Sequence, residues 1–272
     1  NVATSTVGFG FEGSSTNSIK ANHVAGALAG ANDILNVNLN GAKEVALTVA
    51  AGFESAKITT AGTNDVTTLT APGVTTYTVE GTGSVNFKNG LTNVTTLSAT
   101  NNSGAITTGT VDATTGFVDK AIIAGTNGAS VLLGAGNDNI GFTTTASKTS
   151  TVKLGAGDDK LLLKAAGAVA GATYVFGEAG NDTIKATNAL TTADLIDGGE
   201  GTDTLVIDNA ANQMVLRGIE KLTLTKNAIG ANVINSADSA IAVTAEVNSN
   251  AVNLTGLTSG STVTVNDSKD QT

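Results

Sequence analysis

Four glycine-rich turns follow one another between residues 133 and 205, and they decide how this chain folds. They read LGAGNDNI (133–140), LGAGDDKL (154–161), GEAGNDTI (177–184) and GGEGTDTL (198–205). Each turn contains one aspartate at the same place, and these four are Asp138, Asp159, Asp182 and Asp203. A regular period of about 21–23 residues with one turn signal per period predicts a stack of coils, that is, a solenoid.

The residue types in these turns are suited to calcium, which takes six to eight oxygen ligands, many of them backbone carbonyls. Carbonyls that converge on one ion need backbone angles that side chains forbid, hence glycine. If coils stack at the strand spacing of about 4.8 Å, the aspartates form a column that repels itself unless cations lie between the coils. The predicted metal ligands are the four aspartates together with Gly134, Gly136, Gly155, Gly157, Gly177, Ala179, Gly180, Gly198, Glu200 and Gly201.

The fourth turn fits the calcium-binding repeat G-G-x-G-x-D-x-U-x completely. The third has Glu178 at the second glycine, and the first two have Leu133 and Leu154 at the first. These motifs resemble the RTX (repeats-in-toxin) family, and most closely the calcium-binding surface-layer (S-layer) proteins of Gram-negative bacteria of the Caulobacter and Campylobacter kind. The wide spacing favours S-layer proteins over toxins, whose nonamers run back to back. VLRGIEKLTLT (215–225) is also similar to a segment that recurs after such turns in S-layer chains.

The resemblance covers about residues 125–230 and implies a right-handed parallel β-solenoid, calcium-dependent folding and type I secretion to the cell surface. It also implies that copies of the chain assemble into a two-dimensional S-layer lattice, anchored to lipopolysaccharide through other domains. The alternative is a stalk or module of a type I-secreted RTX adhesin or exoprotein. A start without Met and an end on DSKDQT indicate a fragment of a longer protein.

Composition agrees with a narrow, β-rich stack. The 272 residues are 40% hydrophobic but only 3% aromatic and 14% charged, which is typical neither of disordered chains nor of ordinary enzyme-like domains. The chain has no cysteine, so calcium takes the place of a disulfide framework in our interpretation. The net charge of −9 argues against nucleic acid as a partner. No apolar run reaches the roughly 18 residues of a membrane helix, so membrane insertion is not expected.

The period extends to both sides of the four turns. ILNVNLNG (34–41) alternates, with Leu35, Val37 and Leu39 on one face and asparagines on the other. Val45 and Val66 are separated by one period of the turns, so they occupy corresponding points of two coils. We therefore predict an all-β chain in three segments: calcium-poor solenoid coils in 1–120, calcium-binding RTX coils in 121–210, and further solenoid in 211–272.

Three other turns are partly similar to the four. GAND (30–33) and GTND (62–65) end in Asn-Asp. Asn-Asp also simply suits a turn, and this simpler interpretation is favoured because the glycine pairs are missing and the spacing from Asp33 to Asp65 does not match the period. GTNGAS (125–130) is interpreted as a worn copy of a calcium turn in which Ser130 replaces the carboxylate.

The chain offers little for catalysis. It has one histidine, His23, so a histidine triad or a zinc site lacks partners. Asp158 with Asp159, or Asp194 with Asp197, would be a carboxylate pair for glycoside cleavage. Asp159, however, already belongs to a turn, and neighbouring strand residues face opposite sides. Few aromatic residues remain for stacking on sugars, and the acidic turns lack the G-K-[ST] of a phosphate loop. We expect no enzymatic activity.

Overall fold

The computed structural model describes residues 6–13, 17–22, 28, 32–144, 148–165, 171–187, 190–191, 193–208, 213–225, 230–236, 240–247 and 252–267. Within these ranges all the regular secondary structure is β-strand, so the predicted all-β class is confirmed. The same ranges contain no helix able to span a membrane. His23 lies outside them.

The chain winds as a parallel β-solenoid, in which each circuit adds one strand to sheet A and then one to sheet B. In the part of the chain that the structure describes, sheet A has 12 strands. In spatial order they are β1 (Thr6–Glu12), β3 (Ile34–Asn40), β5 (Ser55–Ala61), β7 (Thr76–Gly81), β10 (Thr96–Asn102), β13 (Ser130–Leu132), β15 (Ser150–Ala156), β17 (Thr173–Ala179), β19 (Leu195–Asp197), β21 (Gln213–Arg217), β23 (Gly230–Ser236) and β25 (Val252–Thr255).

Among the described residues, sheet B has 14 strands. Its main path is β2 (Asn17–Ala21), β4 (Val45–Val49), β6 (Thr63–Thr70), β8 (Ser84–Phe87), β11 (Ile106–Thr108), β14 (Asn139–Thr144), β16 (Lys160–Ala165), β18 (Thr183–Ala186), β20 (Thr204–Ile207), β22 (Lys221–Leu224), β24 (Ala242–Val247) and β26 (Thr262–Asp267). Beside this path lie β9 (Leu91–Val94) and β12 (Ile122–Ala124). Both sheets run through residues 120 and 210, so the three predicted segments are successive coils of one stack.

The core between the sheets is narrow and aliphatic. In β3 the predicted alternation is confirmed: Leu35, Val37 and Leu39 are buried. Leu35 pairs with Ala56, and Val37 with Ile58, so each buried side chain stacks on another in the next coil. Burial of one such Val, Leu or Ile side chain contributes about 1.5–3 kcal/mol. The predicted correspondence of the valines at 45 and 66 is confirmed by their pairing.

One circuit carries an insertion. Thr96 pairs with Ser130, and Ser130 in turn pairs with Thr151. Many more residues of the chain separate the first pair than the second. The additional length is residues 109–121, which leave sheet B between β11 and β12, and these two short strands together pair with the single strand β14 of the next coil. The inserted segment folds back on itself through an antiparallel bridge between Val111 and Val118, and residues 110–115 at its tip are exposed.

Candidate metal centre

All four glycine turns lie where the chain passes from sheet A to sheet B, and they stack on one another. Ala156 pairs with Ala179, and Ala179 with Glu200. The residues that directly follow the aspartates also pair in register; these are Asn139, Lys160, Thr183 and Thr204. The structure therefore brings together the turn residues that the sequence predicted as one site.

Glycine is required in these turns because the coils approach closely. A Cβ on Gly180 would lie 1.9 Å from the carbonyl oxygen of Gly157, and one on Gly201 would lie 1.9 Å from that of Gly180. Both glycines also have a positive φ, of 132° and 136°. Glu178 is the one residue of these turns other than glycine that has a positive φ, which is 73°. It pairs with Gly155, whose φ is 99°.

The four aspartates form a single buried column inside the solenoid, which we call the aspartate column. Each is at most 1% exposed. In each, Oδ1 accepts a hydrogen bond from a backbone N–H of the preceding coil. The Asp138 N–H donates to Asp159 at 2.6 Å, the Asp159 N–H to Asp182 at 2.9 Å, and the Asp182 N–H to Asp203 at 2.7 Å. The Ile106 N–H donates in the same way to the first carboxylate of the column.

The second oxygen, Oδ2, of each aspartate in the column is buried without a hydrogen-bond partner among the residues that the structure describes. A buried polar atom without a partner costs about 1–3 kcal/mol, and more if it is charged. In the third and fourth turns this oxygen lies against the first glycine of the motif. A Cβ on Gly177 would be 2.2 Å from Oδ2 of Asp182, and one on Gly198 would be 2.6 Å from Oδ2 of Asp203. The glycines thus leave room beside the carboxylates.

Burial makes these carboxylates weak acids. It raises the pKa of Asp138 and of Asp182 to about 7, and that of Asp159 to about 8. The carboxylates of Asp138 and Asp182 raise the pKa of Asp159 further, while the hydrogen bond from the Asp138 amide opposes the shift. Burial also raises the pKa of Asp203. Near neutral pH the column therefore needs positive charge, from protons or from a metal ion, to offset the loss of water.

Glu220 extends the column by one coil, and the sequence analysis missed it. Its Oε2 accepts a hydrogen bond from the Asp203 N–H at 2.7 Å. Glu220 lacks the glycine-rich motif and has only Gly218 two residues before it; it also follows Asp203 by less than the period of the turns, so neither motif nor period identified it. The available signal was its position directly before a strand, since Glu220 precedes β22 as Asp203 precedes β20.

The oxygen atoms on offer suit a hard cation. Within the described ranges no three His, Cys, Asp or Glu side chains converge on one point, so backbone carbonyls would have to complete any site. The carbonyls of Gly134, Ala179 and Glu200 each accept a backbone N–H at 2.9 Å and keep a second lone pair. The Glu200 side chain is exposed, so only its backbone lies in the turn. Carboxylate and carbonyl oxygens without nitrogen or sulfur favour calcium or magnesium over transition metals.

Of the partial turns, GTND (62–65) lies at a passage from sheet A to sheet B, but its Asp65 does not enter the aspartate column. Asp65 is in β6 and forms surface ion pairs with Lys43 at 3.5 Å and Lys88 at 3.7 Å. Asp33 precedes β3, at the passage from sheet B to sheet A on the opposite side of the coil. Residues 125–129 lie at that opposite passage too, between β12 and β13, and Ser130 begins β13. The interpretation of GTNGAS as a worn calcium turn is therefore wrong.

The carboxylates considered for glycoside cleavage have other surroundings. Asp158 is exposed on the outside of its turn, whereas Asp159 is buried in the column. Asp194 closes a turn by accepting hydrogen bonds from the N–H groups of Thr173 at 2.6 Å and Thr191 at 2.7 Å.

The turns from sheet A to sheet B thus combine closely stacked carbonyls with a column of buried carboxylates, an arrangement that can hold hard cations. Comparison with known proteins adds no assignment to this geometry: no family model, no curated protein and no solved structure matches the chain.

Proposed function

We propose that this chain is a structural part of a bacterial S-layer, a solenoid that folds on binding calcium and then assembles with copies of itself into a two-dimensional lattice. The observation that carries the proposal is the aspartate column, in which four successive coils each bury a carboxylate oxygen without a partner among the described residues. The RTX-like turns lie on the same residues, and this coincidence supports calcium as the ion. Secretion to the cell surface is part of the proposal, because calcium is plentiful there.

Calcium would be held by the second carboxylate oxygens of Asp138, Asp159, Asp182 and Asp203, together with carbonyl oxygens of the glycine turns. The positive charge of the ion would offset the water that these carboxylates lose on burial. Extracellular calcium sites bind at about 10⁻⁴–10⁻³ M, and one ion at about ten times its Kd adds about 1.4 kcal/mol. Three or four ions would then add about 4–6 kcal/mol, comparable with the whole stability of a small domain.

The outer surface supports a building block rather than a binder of small ligands or an enzyme. Among the residues whose exposure is described, Tyr174 is the one exposed aromatic. Binding hot spots are enriched in Trp, Tyr and Arg, and this surface has few of them. The alternative function, a calcium-folded stalk or module of a type I-secreted RTX adhesin or exoprotein, uses the same site but requires no lattice.

Electron microscopy separates the two candidates. The purified chain is concentrated in chelator, and millimolar calcium is then added. We expect two-dimensional sheets for the natural chain and none for the double variant Asp159→Ala, Asp182→Ala, with Asp158→Asn as the matched surface control that still forms sheets. A monodisperse monomer at high calcium and high protein concentration would contradict the S-layer proposal and favour the stalk.

A further inference from the structure

The stacked glycine turns continue beyond the aspartate column towards the N-terminus. A Cβ on Gly136 would lie 2.5 Å from the backbone of Gly104, one on Gly104 would lie 2.3 Å from Gly83, and one on Gly83 would lie 2.5 Å from Gly62. The column positions that belong to these three coils hold Asn64, Val85 and Ile106, which pair in register. The same turn is therefore built three times without an aspartate.

Asn64 occupies the column position of its coil and carries an amide nitrogen where each aspartate carries its second oxygen. It follows Gly62 by two residues, as Asp138 follows Gly136, and it is 1% exposed. Its Oδ1 accepts the Ala42 N–H at 2.8 Å, which is the kind of bond made by Oδ1 of each aspartate. Its Nδ2 donates to the carbonyls of Ala61 at 3.0 Å and Ser84 at 2.9 Å. Carbonyl oxygens at this place attract a donor or a cation and repel an anionic oxygen.

Two more buried side chains place polar atoms among the carbonyls of these N-terminal turns. The Asn102 amide donates to the carbonyl of Gly104. The Thr60 hydroxyl lies 2.9 Å from the carbonyl oxygen of Gly83 and 2.8 Å from Oδ1 of Asn102. Among the described residues of the four aspartate turns, no side chain donates to a turn carbonyl. An ionised aspartate has no proton to donate.

We propose that Thr60, Asn64 and Asn102 do for the N-terminal turns what calcium does for the aspartate column, so that residues 32–108 form a calcium-independent nucleus. The coils of residues 133–208 then stack on this nucleus when calcium arrives. The inference rests on the proposed calcium-dependent folding. It follows because coils in a stack contact only their neighbours, so each coil is stabilised or destabilised by its own turn. A neutral amide or an apolar residue at a column position needs no ion, whereas a carboxylate buried in the column does.

Hydrogen exchange of the full chain, measured by mass spectrometry with and without calcium, tests this division. In chelator we expect the amides of β3, β5, β6 and β8 to remain protected, while those of β14, β16, β18 and β20 lose protection by at least tenfold. Added calcium is expected to restore the protection of the second group of amides.

Variants then test the assignment of Asn64. Asn64→Asp places a carboxylate among the carbonyls of Ala61 and Ser84, so β6 and β8 are expected to lose protection in chelator and regain it in calcium. Asn38→Asp, which adds the same charge at an exposed position of β3, is the matched control and leaves protection unchanged. The reverse change, Asp159→Asn, supplies a donor within the column and is expected to reduce bound calcium by one ion while raising protection of β16 in chelator.

The outcomes separate the inference from the proposal on which it rests. If chelator removes protection from both groups of strands alike, the inference is overturned and calcium-dependent folding stands. Full protection of both groups in chelator overturns the two together. The inference is also overturned if β6 and β8 of the Asn64→Asp chain respond to calcium no more than they do in the natural chain. The same holds if these two strands stay unprotected in calcium.

Discussion

In calcium-free buffer the folded chain should lose stability as the pH rises. Burial raises the pKa of Asp138 and Asp182 to about 7 and that of Asp159 to about 8, from an ordinary value of 3.8. Between the two values the folded state holds protons that the unfolded chain has released. The stabilisation is therefore fully present below the unfolded pKa and is lost as the pH rises through 7 and 8.

The expected effect is large. Each aspartate contributes about 1.4 kcal/mol per pH unit within its window. The three aspartates together set an upper bound of about 4 kcal/mol per pH unit, against a total stability of about 5–15 kcal/mol for a small domain. A change from about pH 5 to about pH 7 without calcium is then expected to remove a large part of the stability of the coils of the aspartate column.

Thermal unfolding followed by circular dichroism measures this dependence. Without calcium the Tm should fall from about pH 5 to about pH 8. In millimolar calcium it should rise over the lower part of that range, because the carboxylates must lose their protons to bind the ion. Asp159→Asn should reduce the calcium-free slope by about 1.4 kcal/mol per pH unit. Asp158→Asn, one residue away on the exposed side of the turn, should keep most of it.

Two results would refute this reasoning. One is a calcium-free Tm that rises with pH across the same range, since the sign would then be that of carboxylates stabilised in the charged form. The other is an identical pH profile with and without calcium, because proton and ion would then not compete for the same oxygens.

Two further changes test the turn and the end of the column. Gly180→Ala should destabilise the calcium-bound chain by about 3 kcal/mol or more in urea unfolding, since its Cβ would meet the Gly157 carbonyl at a positive φ; Gly10→Ala, with nothing within 4 Å of the added Cβ, is the control. Glu220→Ala should cost about 1–3 kcal/mol because the buried Asp203 N–H loses its acceptor. Glu220→Gln keeps an acceptor oxygen, and an equal loss in both variants would contradict this role.

The strands and their register were predictable because one simple pattern is repeated in every coil. Alternation places Leu35 and Val37 in the core, and the period of the turns aligns Val45 with Val66. The same period predicts that the turn aspartates form a column. The column can be predicted reliably because similar turns stack on one another. A shift of register in one coil would break the strand pairing of its neighbours.

The direction of the carboxylates could not be predicted in the same way. The motif states that Asp159 belongs to the turn, but the atom that bonds to its Oδ1 is the backbone N–H of Asp138 in another coil. Only the three-dimensional register shows that one oxygen is used in this bond and the other is left buried. The role of the Asn64 amide could not be predicted from the sequence either, because Asn64 is one asparagine among many.

The error at residues 125–130 could have been found from spacing, because Ser130 precedes Asp138 by much less than one period of the turns. Residues 109–121 contain the Thr, Gly and Asp that also fill the coils, so composition does not reveal that they stand outside the stack. A glycine-rich stretch that follows then falls at the turn from sheet B to sheet A, where no carboxylate column lies among the described residues.

The insertion at residues 109–121 shows how a solenoid can change its surface without changing the register of its coils. Thr96 and Ser130 pair in register although the whole insertion lies between them in the chain, so the extra length is not passed on to the neighbouring coils. Diversity can therefore accumulate at one exposed tip, residues 110–115, while the axial repeat stays the same. In a layer built from many copies, that tip would be a place to display foreign peptides or variable epitopes at regular spacing.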